Sequence, residues 1–81
     1  MNKDEIFEVI KQQIKIVMPS MPMEKVTIDK SLKELGANSI DRMEIAVMSM
    51  EKLGIVAPLI EMGNIKNLHV LVYYFQDKKK Q

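Results

Sequence analysis

Apolar residues recur at helical spacing in three stretches of the chain, and the breaks between them carry prolines and glycines. In the first stretch Ile6, Ile10, Ile14 and Val17 repeat every three or four residues, which places them on one face of an α-helix. Asn2 with Glu5 three residues on has capping-box spacing, and Pro19 cannot continue a helix. The pattern therefore predicts a helix from Lys3 to Met18. A second helix is expected from Ser39, whose hydroxyl suits the N-cap position, to Lys52 or Leu53, where Gly54 ends it. In the last stretch Asn67 can cap a helix in which Leu68, Leu71, Val72 and Phe75 follow i, i+3, i+4, i+7 spacing, and the closing "DKKKQ" is expected to fray.

The second helix carries more apolar residues than one buried face needs. Ile45, Ala46, Ser49 and Leu53 can face a core, with Ser49 expected to bond back to a carbonyl one turn earlier or to line a small pocket. Ile40, Met43, Val47 and Met50 form another stripe of the same period, and a second stripe on a helix of a small bundle is expected to be kept for a partner.

Two connections join the helices. The longer, Pro19 to Asn38, must pack through its own apolar residues or serve a function, and Val26, Ile28, Leu32 and Leu35 can supply that packing, with "SLKEL" as a turn of helix. The shorter, "GIVAPLIEMGN", has a proline and two glycines around a brief apolar run, enough for an extended link and one helical turn. The expected fold is all-α, a small four-helix bundle of three longer helices and one short, formed as a single domain over residues 1–81.

Composition narrows the function. Twelve basic residues against eleven acidic ones leave a net charge of +1, which argues for no nucleic acid partner. The absence of cysteine excludes a disulfide framework, a thiolate metal site and a cysteine nucleophile, and fits a cytoplasmic protein. The N-terminus lacks the apolar run of a signal peptide and no stretch approaches membrane-spanning length, so no membrane role is expected. Eight methionines against few aromatics point to an adaptable contact surface.

Candidate chemistry reduces to one residue. A nucleophilic serine needs a base in reach, but the lone histidine, His69, sits beside a core position with no serine or carboxylate pattern near it in sequence. Metal-ligand spacing and phosphate-binding glycine loops are lacking, and Lys78 to Lys80 read as a solvated tail. Ser39 remains. By spacing alone it is an ordinary N-cap. Yet a hydroxyl at a helix N-terminus is also where an attached phosphate ester meets free backbone N–H groups and the positive end of the helix dipole.

The stretch "LKELGANSIDRMEI", followed by "MEKLGIVAP" and an Asn67-capped last helix, resembles the acyl carrier protein family over nearly the whole chain. The resemblance implies a bundle of acyl-carrier-protein type and a carrier, not an enzyme. It implies that Ser39, matching the serine of an L-G-x-D-S-[LI]-D-like motif, receives 4'-phosphopantetheine from coenzyme A, with a phosphopantetheinyl transferase bringing the base that this chain lacks. The arm's thiol carries acyl groups, which accords with the missing cysteine. Partner docking is expected on Ile40, Met43, Val47 and Met50, with Asp41, Arg42 and Glu44 steering. Asn38 stands where most members have aspartate, and the chain is slightly basic where carriers of primary metabolism are strongly acidic.

Within the family, "GANSIDRMEI" is similar to the discrete carriers of bacterial polyketide β-branching cassettes. That similarity implies a monomeric donor of acetyl, made from malonyl, whose partners are an acyltransferase, a decarboxylating ketosynthase and a hydroxymethylglutaryl-synthase-like enzyme. Other readings stay open: a carrier of fatty acyl, aminoacyl or D-alanyl groups, or an unmodified helical interaction module in which Ser39 is only a cap.

Overall fold

The computed structural model describes residues 2–80, the side chain of Asn64 excepted. Three α-helices, α1 (Lys3–Val17), α2 (Ser39–Leu53) and α3 (Leu68–Lys79), alternate with two 3₁₀ segments, Met23–Lys25 and Leu59–Asn64, and no strand occurs among the described residues. The all-α expectation holds, whereas the expected short fourth helix is the 3₁₀ segment Leu59–Asn64. Six residues entered through Pro58 and interrupted by Gly63 are too few to sustain an α-helical nucleus.

Local signals set the helix ends. Asn2 and Glu5 form the capping box of α1, and Asn67 caps α3 through its side chain to the Val70 N–H. Helix α2 runs from Ser39 to Leu53 as expected, but its cap is Asn38, not Ser39. The Asn38 side chain accepts the Asp41 N–H at 2.8 Å while the Asp41 carboxylate accepts the Asn38 N–H at 3.3 Å. Amide and carboxylate both serve in such a box. At the other end Gly54, at φ 69°, closes a Schellman motif in which the Ile55 N–H donates to the Met50 carbonyl at 2.9 Å.

The long connection contains one more capped turn. Ser31 and Glu34 exchange backbone-to-side-chain bonds of 2.9 and 3.0 Å. Gly36, at φ 96°, then lets Ala37 donate to the Leu32 carbonyl at 3.0 Å. The "SLKEL" turn therefore forms as expected. Val26 and Leu35 are buried and Leu32 packs against the core, but Ile28 is exposed; its carbonyl accepts the His69 N–H instead. With the Leu68 N–H on the Lys30 carbonyl, this gives two 2.8 Å bonds that anchor the start of α3 to the connection.

One core joins Ile6, Ile10 and Ile14 of α1, Ile45, Met50 and Leu53 of α2, and Leu68, Leu71, Val72 and Phe75 of α3. The C-terminal lysines are structured where fraying was expected. Helix α3 runs to Lys79, whose ammonium donates to the Leu53 carbonyl at the C-terminal end of α2, a favourable place for a cation. Lys78 lies 3.6 Å from Glu61 and over the Tyr74 ring. Gln81 lies outside the described residues.

The Leu59–Asn64 segment is tied to α3 through Glu61, which accepts the Tyr74 O–H at 2.5 Å. That bond, with Lys78 nearby, holds the Glu61 carboxyl below its ordinary range, while burial and the same carboxylate push Tyr74 up to about 12. Because Glu61 titrates lower when folded, its share of the tether is present above the ordinary glutamate pKa and is lost as pH falls through the depressed value. Tyr74→Phe should speed amide exchange in residues 59–65 at neutral pH and leave the difference from the parent chain much smaller in acid. Hydrogen exchange at several pH values checks this.

Core membership makes a second prediction. Leu53→Ala should cost about 2–5 kcal/mol, Met50→Ala should also destabilise through the cavity it leaves, and Met43→Ala, at an exposed position, should cost far less. Urea denaturation of the three variants measures the order.

Candidate functional site

The turn from Gly36 into α2 changes from interior to surface within two residues. Ala37 is buried and Asn38 and Ser39 are exposed. Ser39 is the first residue of α2, its hydroxyl free of capping duty because Asn38 performs it. The box takes up the N–H groups of Asn38 and Asp41, and the Arg42 N–H goes to the Asn38 carbonyl at 2.9 Å. The N–H groups of Ser39 and Ile40 remain directed out of the first turn, as helix geometry requires of groups before the first i to i−4 bond.

The other expected site residues divide along α2. Ile40 and Met43 are exposed, at 60% and 51%, and Glu44 is exposed beside them. Asp41 is occupied by the capping box. Arg42 is half-buried and donates from Nη1 to the Ala37 carbonyl at 2.8 Å, so one arm of its guanidinium braces the turn before α2. Val47 is half-buried against the core.

Met50 is a correction: placed by spacing on the outer stripe, it is only 8% exposed and belongs to the core. The reason lies in the fold around it. The chain turns back at Gly54 with the Ile55 N–H on the Met50 carbonyl, and Met50 and Ile55 are both buried in the core, whereas Ile40 and Met43 at the Ser39 end stay exposed. Ser49 is fully buried as its spacing indicated, but its hydroxyl has no hydrogen-bond partner among the described residues.

A cleft of about 670 Å³ opens beside Ser39. Its walls come from α2 (Ser39, Arg42, Met43, Ala46), from the 3₁₀ segment (Leu59, Ile60, Met62) and from the start of α3. Ile60, on the cleft wall, is almost fully exposed at 86%, as is Val56, outside the cleft, at 98%. The sequence reading noted a brief apolar run here but took it as an extended link with one helical turn, and did not place it beside Ser39. The available signal was an apolar run broken by Pro58, which could neither join a helical face nor alternate as a strand.

His69 is exposed, with its ring edge-on to Tyr73 at 4.7 Å. Among the described residues no group of three or more histidines and carboxylates could hold a metal ion, and no helix is long and apolar enough to cross a membrane.

The comparisons with known proteins agree with this geometry. The family described as the phosphopantetheine attachment site matches residues 4–74, from the first turn of α1 to the middle of α3. The chain is also 38% identical over 78 residues to the polyketide biosynthesis acyl-carrier-protein AcpK of Bacillus subtilis (strain 168), covering 96% of this chain and 95% of that protein. On this match and this likeness the chain belongs to the family of phosphopantetheine-bearing acyl carrier proteins.

Proposed function

We propose that residues 1–81 act as one acyl carrier domain of polyketide biosynthesis in which Ser39 bears the phosphopantetheine arm. As a member of a carrier family the chain is not itself a catalyst, and its work is done in encounters with a phosphopantetheinyl transferase and with biosynthetic enzymes. The observation that carries the choice of Ser39 is its placement: an exposed hydroxyl on the first residue of α2, released from capping by Asn38. The polyketide assignment is supported by the likeness to the Bacillus subtilis carrier.

The residues present fit the group. The unengaged N–H groups of Ser39 and Ile40, together with the positive end of the α2 dipole, suit a phosphodiester on Ser39. Arg42 keeps guanidinium donors beyond the one given to Ala37 and lines the same cleft as Ser39. When attached, phosphopantetheine supplies a thiol that carries acyl groups as thioesters. The chain's own part is to present the hydroxyl and to be recognised. Ile40 and Met43 offer apolar contact beside Ser39, Glu44 and the free part of Arg42 offer charge, and Val47 contributes only its exposed edge.

The finer reading is an acetyl donor for β-branching, loaded through an acyltransferase and a decarboxylating ketosynthase and read by a hydroxymethylglutaryl-synthase-like enzyme. It is supported by the low net charge and by the apolar character of the surface beside Ser39, which differ from an acidic docking helix.

Incubation with coenzyme A and a broad-specificity phosphopantetheinyl transferase should add one phosphopantetheinyl group by intact mass, and Ser39→Ala should abolish the addition. Because Asn38 is the cap, Ser39→Ala should scarcely change stability, whereas Asn38→Ala should cost about 0.5–2 kcal/mol. A wild-type chain that stays unmodified with several transferases would return the choice to an unmodified interaction module.

The acetyl-loaded protein should donate to a hydroxymethylglutaryl-synthase-like partner more readily than a strongly acidic fatty acid carrier given the same arm and cargo. Met43→Ala should weaken donation, and added salt should weaken it little, because screening acts on exposed charge pairs more than on apolar contact. Acetyl transfer followed by mass at low and high salt decides this, and equal donation by both carriers would sink the donor assignment.

A further inference from the structure

The cleft beside Ser39 has a one-signed rim. Its floor is apolar, from Ala46, Leu59, Met62, Leu68 and Leu71, while Lys33, Arg42 and Lys66 supply its charged groups; no carboxylate is among the described residues that line it. Glu44 is exposed on α2 outside the cleft lining, and three other acids on neighbouring elements have partners of their own. Glu61, on the same 3₁₀ segment as Leu59 and Met62, is bound by the Tyr74 hydroxyl and faces Lys78. Asp41 is closed into the capping box, and Glu34 is held by the Ser31 N–H. A nearly neutral chain thus lines one apolar cleft with three cations and no carboxylate.

From this we infer that the cleft receives a short acyl group ending in a carboxylate, carried on the chain's own arm, with Lys33, Arg42 and Lys66 holding the carboxylate and the apolar floor taking the methylenes. The inference rests on Ser39 being the point of attachment. Size and chemistry agree: a volume of about 670 Å³ lies in the range of small-molecule sites, and such sites combine apolar walls with a few converging polar groups. Arg42 is suited to the task, because its bond to the Ala37 carbonyl fixes the guanidinium plane while other N–H donors stay free for a carboxylate. An acetyl group lacks the carboxylate, so the rim distinguishes a malonyl load from an acetyl one on the same arm.

The test compares the holo protein carrying malonyl with the same protein carrying 3-methylbutanoyl, in which two methyl groups replace the two carboxylate oxygens. Intact mass is taken before each spectrum. The malonyl form should shift the Arg42 Nε–H and the methyl signals of Leu59 and Met62 relative to unloaded holo protein. The uncharged isostere should leave the Arg42 signal in place. Lys33→Gln with Lys66→Gln, which spares the Arg42 bond, should reduce the malonyl-specific shifts, and raised ionic strength should do the same. Identical shifts with both cargoes, or malonyl shifts undiminished in the double variant, would overturn the inference. So would shifts at Arg42 that arise only on adding a partner enzyme, whatever the cargo, since the rim would then be a protein-docking surface. A chain that takes no arm fails the Ser39 assignment at the mass step; a fully loaded chain with a silent cleft fails this inference alone.

Discussion

The capping box between Asn38 and Asp41 is the constraint from which the presentation of Ser39 follows. The 21-residue passage from Met18 to Asn38 must hand over to α2 at a defined residue, and the box fixes it by satisfying the N–H groups of both members. Two further bonds hold the approach: Ala37 donates to the Leu32 carbonyl and its own carbonyl accepts Arg42. Ala37 is thereby held in the core, Asn38 caps, and Ser39 follows on the outside of the first turn. A cap contributes only about 1 kcal/mol. Its importance is positional: a register change of one residue would rotate every α2 side chain by about 100° and turn Ser39 away from the cleft it borders.

Much of the fold was legible because helix ends are written in short polar motifs. Asn2 with Glu5, Asn67, Pro19 and Gly54 each carry a local mechanism that operates in nearly any tertiary setting. The errors arose where two local solutions were chemically equivalent. At Asn38–Ser39 both side chains can cap, and the choice depended on which had a reciprocal partner three residues on; Asn38 has Asp41 there, whereas Ser39 would have had Arg42. In "SLKEL", expected only as a turn of helix, Ser31 and Glu34 offer the one such pair and form the same motif.

The apolar stripes of α2 show a different limit. Periodicity gives the direction of a side chain around the helix axis and nothing about what lies over it along the axis. Met43 and Met50 point the same way around α2, two turns apart, yet one is half-exposed and the other buried. At the C-terminal end the chain turns back through Gly54 with the Ile55 N–H on the Met50 carbonyl, and Met50 and Ile55 both join the buried core, which Met43 does not. Contacts of that kind, like the two bonds from the Ile28–Lys30 backbone to the start of α3, are made by main-chain atoms that every residue possesses, so side-chain pattern holds no record of them.

The positive tail illustrates how tertiary placement changes the meaning of charge. Read as a run, Lys78 to Lys80 is solvated polyelectrolyte; in the fold, Lys79 completes the C-terminal end of α2 and Lys78 helps hold Glu61 against α3. The second effect reaches the site. Were Glu61 free, the 3₁₀ segment would bring a carboxylate to the border of a cleft whose charged lining is otherwise cationic. Tethered to Tyr74, it instead steadies the segment that supplies Leu59 and Met62 to the cleft wall. One hydrogen bond on the far side of the segment therefore shapes both the electrostatics and the rigidity of the surface next to Ser39, while Met43 and Met62, unbranched and readily repacked, leave the cleft walls able to adjust to what they meet.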